Sequence, residues 1–137
     1  STDYGVGCKY FSQDAVIKLA PAAGIEIPAD LSLAEKLKFV QKLMEADDER
    51  AQAIFETIGA YLAYTVVLYS QFYDLEYLML LGRVMSGKGG DTILKVCNDI
   101  LKEEYPALAA KCEVMLPDEK TRRVGQSVAA ASLPALR

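Results

Sequence analysis

Hydrophobic residues recur at helical spacing in three stretches of the first half of the chain, separated by Pro, Gly and acidic residues. This pattern predicts helices over about 12–20, 31–46 and 48–71. The second helix has Ser32 as its N-cap and Glu35 three residues later, which is the capping-box arrangement. Acidic residues 47–49 suit the start of the third helix, because negative charge is favourable at a helix N-terminus. The second half of this helix is apolar almost all round, so we expect it to be central and buried.

The second half of the chain combines two short apolar runs with further helical patterns. Tyr77–Leu81 lies between acidic residues and Gly82, and we interpret it as a strand buried on both faces of a parallel sheet. The pattern then predicts, in order, a glycine-rich loop over 82–90, a helix over 91–104, a helical turn over 107–110, a strand over 112–116 and a helix over 123–133. A strand, a crossover helix and a strand form a parallel pair. Two strands make a poor sheet. Either the pattern does not reveal further strands of this chain, or strands outside this sequence complete the sheet.

Composition and charge narrow the function classes. The chain has 137 residues, of which 52% are hydrophobic, and this is typical of a globular domain with one core. Its net charge of -4 argues against a nucleic-acid partner and an anionic membrane surface, since both need clustered Lys and Arg. The longest uncharged run, Thr57–Tyr73, is shorter than the roughly 20 apolar residues of a membrane span. We expect no membrane association and no signal peptide.

The chain contains no His and three Cys. Without His it can build neither a Ser-His-Asp nor a Cys-His catalytic arrangement, nor a His-ligated metal site. Cys8, Cys97 and Cys112 are an odd number without C-x-x-C spacing, so a disulfide framework is not expected. These features favour a reducing compartment, and we expect a cytoplasmic protein with no metal site of its own.

The glycine-rich loop is the segment with the clearest candidate chemistry. A buried strand that leads through glycines into a helix brings free backbone N–H groups and a positive dipole end to one place, and this favours an anion such as a phosphate. Lys88 can reach a phosphate as a point charge. Asp91 can cap the helix, or hold a ribose or a metal-bound water, and capping is favoured. A purely structural glycine turn is the alternative. The candidate nucleotide-binding residues are Gly82, Arg83, Ser86, Gly87, Lys88, Gly89, Gly90 and Asp91.

A second interpretation of the same loop is a degenerate P-loop. Residues 82–88 fit the Walker A spacing G-x-x-x-x-G-K after a strand. The following residue is Gly89, however, where the motif has the Ser or Thr that holds Mg²⁺.

The stretch Ala51–Pro134 resembles the C-terminal part of the ROK family of sugar kinases and repressors, within the actin-like ATPase superfamily. Ile54-Phe-Glu-Thr-Ile-Gly-Ala-Tyr-Leu-Ala63 resembles the family's long helix before the nucleotide loop. Tyr77-Leu-Met-Leu-Leu-Gly-Arg-Val84 resembles its adenosine-motif strand, with Arg83 in place of a second Gly. Val124-Gly-Gln-Ser-Val-Ala-Ala-Ala131 resembles its terminal helix, and Tyr10–Val16 more weakly resembles the helix after its zinc region.

The resemblance implies a helix-rich α/β fold, namely part of the C-terminal lobe of the actin-like (ribonuclease H-like) fold, with strands supplied by a missing part of the chain. Residues 1–137 would form one lobe fragment, with an entry segment and first helix (1–30), a helical pair (31–73) and the nucleotide-loop unit (74–137). The family's acidic phosphate motif and catalytic Asp belong to the absent half. Its Cys-rich zinc segment contains a His, whereas this region here has Cys8 alone, so no zinc is expected.

Three functions therefore remain open. The first is the ATP/ADP-binding lobe of a glucokinase-like sugar kinase, inactive alone and without catalytic residues of its own. In that case the sugar and Mg²⁺ belong to the parent protein, and the expected partners are an adenine nucleotide, the missing N-terminal lobe and a second copy in a homodimer. The second is a non-catalytic sensor or assembly module of the same fold. The third is a degenerate P-loop nucleotide-binding domain.

Overall fold

Polar side chains set the starts of the first long helices, as the sequence predicts. The structure is a computed structural model that describes residues 13–73, 77–79 and 83–115. Residues 13–19 are helical (α1), and α2 spans Leu33–Glu45. The capping box is present, because the Ser32 hydroxyl accepts from the Glu35 N–H at 3.2 Å and the Glu35 carboxylate accepts from the Ser32 N–H at 2.9 Å. This reciprocal pair satisfies two N–H groups that a helix start leaves without partners.

The corner between α2 and the next helix is short and tightly bonded. Helix α3 spans Glu49–Ser70, and its N-cap Asp48 accepts from the N–H groups of Arg50, at 2.8 Å, and Ala51, at 3.4 Å. Asp47 just before it adopts the left-handed conformation, with φ 62°. The Arg50 guanidinium bonds the same Asp48 carboxylate and, with the two backbone N–H groups, lowers its pKa to about 2. The predicted role of the acidic residues at this helix start is confirmed.

The second half forms the predicted strand–helix–strand unit. Strand β1 is Tyr77–Met79, a 3-10 turn follows at Arg83–Met85, α4 is Gly87–Glu104, α5 is Pro106–Lys111, and β2 is Glu113–Met115. The strands pair in parallel, with Tyr77 opposite Glu113 and Met79 opposite Met115. In the part of the chain that the structure describes, the sheet has these two strands. The helix-rich α/β class is therefore supported.

Helix α4 begins four residues earlier than the sequence pattern predicts. We expected a glycine loop up to Gly90 and a helix from Asp91, but residues 87–90 form the first turn of α4. Glycine is a poor helix former because it loses the most backbone entropy on folding, and this is why the pattern favours a loop here. Packing overrides that propensity, since both Gly89 and Gly90 are buried against neighbouring groups.

Helices α3 and α4 run in parallel and pack closely against each other in the core. A Cβ on Gly59 of α3 would lie 2.8 Å from the Val96 Cβ of α4, so the two backbones approach closely at this point. Further along both helices, Tyr64 donates to the Glu104 carboxylate at 3.0 Å. The fully buried side chains of this core include Phe55, Ile58, Ile93, Cys97 and Leu101. Cys97 is thus a small apolar core residue.

One side of α3 faces away from this core. We expected the second half of the helix to be buried, yet Leu68 is 53% exposed and Phe72, just after the helix, is 74% exposed. By length and composition α3 also suffices to cross a membrane, with 44% of its most apolar window buried within the protein. A core helix of a soluble protein meets the same criterion, so this finding is weak evidence for a span.

Several predictions lie outside the described residues. They are the terminal helix over 123–133, the ends of both predicted strands at residues 80–81 and 116, the glycine Gly82, and the N-terminal segment with Cys8.

Candidate functional site

The candidate site lies at the start of α4, where the chain enters the helix from the 3-10 turn. Ser86 is the N-cap residue, but its hydroxyl makes no capping hydrogen bond. Its own N–H donates to the Arg83 carbonyl at 3.1 Å. The first residue of the helix, Gly87, has φ +64°, a conformation that favours glycine. Since β1 and β2 are parallel, α4 begins beside their carboxyl ends, the usual ligand-binding end of parallel α/β sheets.

A carboxylate from elsewhere in the chain already lies at this helix start. Glu45, the last residue of α2, accepts from the Lys88 N–H through Oε2 at 2.8 Å. A Cβ at Gly87 would overlap the same oxygen, so the glycine makes room for Glu45. The carboxylate therefore occupies the position that an anion takes at a helix N-terminus, where N–H groups and the dipole favour negative charge.

The Lys88 side chain turns toward the α2–α3 corner. Its Nζ donates to the Asp47 carboxylate at 2.9 Å and to the Glu45 carbonyl at 3.3 Å. The bond to Asp47 raises the pKa of Lys88, with further contributions from the charges of Asp47 and Glu45. Lys88 is half exposed and Asp47 more so. The ammonium group is therefore held by surface contacts that a competing anion can exchange with.

Gly89 and Gly90 have a packing role. A Cβ on Gly89 would lie 2.7 Å from Cε1 of the buried Phe55, and a Cβ on Gly90 would overlap the Met85 carbonyl and lie 2.7 Å from its Cα. Both glycines are therefore required by the close approach of α4 to α3 and to the 3-10 turn. A ligand is not needed to explain them.

The other predicted site residues are exposed. Arg83 lies in the 3-10 turn, and its carbonyl accepts from Gln41 Nε2 of α2 at 2.8 Å. Ser86 and Asp91 are both exposed. The predicted capping role of Asp91 is wrong, because the helix begins four residues before it and Ser86 holds the N-cap position.

Sequence reasoning missed Glu45 and Asp47, which lie more than forty residues from their partner Lys88. One feature of the sequence does point to Glu45. This residue ends α2, and an acidic side chain is unfavourable beside the negative end of a helix dipole. A favourable contact elsewhere in the fold compensates for this, and the N–H of Lys88 supplies it.

The Lys88 N–H at the start of α4 and the Lys88 ammonium are donors of the kind that suit an anion. Among the described residues, no group of three or more Cys, Asp and Glu could hold a metal ion. A separate open groove of about 580 Å³ lies by α1, lined mainly by Ile17, Ile25 and Ile27, with Glu26 and Lys36 at its polar side. It is distant in sequence from the candidate site and shares none of its residues.

Comparison with family models, with curated proteins and with solved structures finds no match to this chain.

Proposed function

We propose that this chain is part of the C-terminal, adenine-nucleotide-binding lobe of an ATP-dependent sugar kinase-like protein of the actin-like fold, with no kinase activity on its own. The observation that carries the proposal is the parallel β1–α4–β2 unit, in which α4 starts at the carboxyl ends of the strands. Ligands of open α/β sheets bind at that end. A parallel pair of strands also needs further strands and covered faces, which the rest of such a lobe would supply.

In this proposal the turn before α4 holds the adenosine and α-phosphate end of ATP or ADP. The phosphate takes the Lys88 N–H that Glu45 now occupies, and the Lys88 ammonium moves from Asp47 toward the new anion. The γ-phosphate, Mg²⁺ and the sugar belong to the missing N-terminal lobe, where phosphoryl transfer depends on positioning and electrostatics. The parent protein would work in the cytoplasm.

The test is a calorimetric titration of ATP into this chain, with and without Mg²⁺. We expect weak binding that survives the removal of Mg²⁺. Glu45→Gln should bind ATP several-fold more tightly, because it removes a competing charge from the helix start. Glu103→Gln, an equal charge change at the far end of α4, is the matched control and should leave binding unchanged. If neither the wild type nor Glu45→Gln binds millimolar ATP, this chain has no nucleotide site of its own.

Lys88→Ala separates this proposal from a degenerate P-loop. In a P-loop the lysine reaches the β- and γ-phosphates, so its removal should abolish binding. At the turn proposed here, the loss of Lys88 should weaken ATP binding only modestly.

A second candidate is a non-catalytic sensor or assembly module of the same fold. It is favoured by one specific observation, namely that Glu45 already fills the start of α4 while Gly89 and Gly90 are explained by packing. In that case the turn is structural, and neither the wild type nor Glu45→Gln binds ATP although both fold normally.

A further inference from the structure

Helix α3 carries an apolar stripe on the side that faces away from the core. The stripe consists of Tyr61, Tyr64, Thr65, Leu68 and Phe72, whose spacing of i, i+3, i+4, i+7 and i+11 places them on one face of the helix and of the turn that follows it. Among its four large side chains, Tyr64 is the least exposed at 45% and Phe72 the most exposed at 74%. Since an aromatic residue offers roughly 200 Å², about 400 Å² of side-chain surface lies open on this stripe.

The polar atoms of the stripe are suited to burial. None of its five residues is charged. The Thr65 hydroxyl donates to the Tyr61 carbonyl of the same helix at 2.8 Å, and the Tyr64 hydroxyl donates to the Glu104 carboxylate at 3.0 Å. These two hydroxyls therefore need no new partner when the stripe is covered, and covering it does not incur the cost of an unsatisfied polar group. Aromatic residues are also enriched at the centres of protein interfaces, so the stripe has the character of one.

We propose that the stripe packs against the same stripe of a second copy of this chain, with the two α3 helices antiparallel. A two-fold interface uses one patch on both subunits, so the patch must be complementary to itself. When the two-fold axis passes between positions 66 and 67, Thr65 of each copy lies opposite Leu68 of the other, and Tyr61 lies opposite Phe72. At the centre of the pair a small side chain thus meets a larger one on both sides of the axis, which lets the two helices interdigitate.

Charge and area both favour a second copy as the partner. Each copy has a net charge of -4, so two copies repel each other, and an uncharged stripe is a face at which they can meet without placing like charges together. Two stripes bury about 800 Å², and neighbouring exposed residues such as Gln71 and Tyr73 raise the total to about 1,000 Å², the lower limit of a specific interface. We therefore expect a weak dimer with a dissociation constant of about 10–100 µM.

The first test is sedimentation equilibrium of the full chain at concentrations from about 5 to 500 µM. Leu68→Glu should raise the dissociation constant at least about tenfold, because it buries a carboxylate beside the two-fold axis. Leu33→Glu is the matched control, since Leu33 is 58% exposed and begins α2, where a negative charge is favourable, and this variant should dimerise like the wild type. A wild type that stays monomeric throughout, or an equal effect of the two substitutions, would overturn the proposal.

Cross-linking tests the antiparallel arrangement and also covers the case in which Leu68→Glu fails to fold. A short bismaleimide is added to Thr65→Cys or Thr57→Cys chains that also carry Cys8→Ser, while Cys97 and Cys112 are buried. In the antiparallel pair the two residues at 65 lie about 4.5 Å apart along the helix axis and the two at 57 about 28 Å apart, so the Thr65→Cys copies alone should link. Equal linking at both positions contradicts this pairing.

A lipid surface is the competing occupant of the stripe. A chain that stays monomeric and binds phosphatidylcholine vesicles would assign the stripe to lipid and overturn the proposal. None of these measurements involves a nucleotide, so their failure is distinct from a failure of ATP binding.

Discussion

Gly90→Ala tests whether helix propensity or packing determines the change in stability at the start of α4. Alanine is the best helix former, and replacing an interior helix glycine normally stabilises a protein by about 1 kcal/mol. Gly90 lies in the first turn of α4, and its backbone φ is in the ordinary negative range. On propensity alone, Gly90→Ala should therefore raise stability.

The structure predicts the opposite sign. The new Cβ would overlap the Met85 carbonyl and lie 2.7 Å from the Met85 Cα, a separation that real Cβ atoms essentially never show. These are backbone atoms of the 3-10 turn, so no side-chain rotation relieves the overlap. Overpacking typically costs 1–3 kcal/mol, and a clash with backbone lies at the upper end of that range. After the propensity gain is subtracted, we expect a net destabilisation of about 2 kcal/mol.

Urea unfolding followed by circular dichroism measures this free energy, and thermal unfolding should show a Tm lower by roughly 5–10 °C. Asp91→Ala is the matched control, because it places alanine at the next, exposed position and should change stability by less than about 0.5 kcal/mol. A Gly90→Ala variant as stable as the wild type would refute the packing explanation. The retention of glycine at this turn would then need another cause, such as the close approach of a ligand.

Two further predictions concern titrating groups. Because the pKa of Asp48 is lowered to about 2 from 3.8, its stabilising contribution is present above pH 4 and is lost as the pH falls through 2. Asp48→Asn keeps an acceptor for the α3 N–H groups, and it should remove this part of the acid-induced fall in Tm. Asp48→Ala should also lower Tm at pH 7. Burial raises the pKa of the Cys112 thiol above its ordinary value of 9.0, so the unfolded chain ionises first and stability should fall as the pH rises beyond 9. The free energy of unfolding in urea, measured between pH 8 and 10, should therefore fall less steeply with pH in Cys112→Ala.

Local patterns in the sequence predict the helix starts well, because their causes are local. The Ser32–Glu35 capping box and the Asp48 N-cap involve side chains within three residues of the N–H groups that they satisfy. The parallel relation of β1 and β2 also follows from the sequence, since a crossover helix between two short apolar runs permits little else.

The start of α4 lies earlier than the sequence predicts, and part of the cause is not local. Residues 87–90 have poor helix propensity, and nothing near them in sequence reveals that the side chain of Phe55 packs against Gly89. The exposure of Leu68 has a similar origin, because periodicity shows that α3 is apolar on most sides but cannot show which side the other elements cover.

The contact between Glu45 and Lys88 sets a condition on any ligand of the candidate site. Glu45 is held by the same chain, so at this helix start its effective concentration is at least in the millimolar range. A free phosphate ion offers a similar charge and must compete against that concentration with no other contacts. The nucleotide that we propose would add contacts from its base and ribose, and we expect it to displace Glu45 where phosphate alone fails. We therefore predict that the site selects against simple anions, and that the proposed nucleotide draws most of its affinity from its adenosine part.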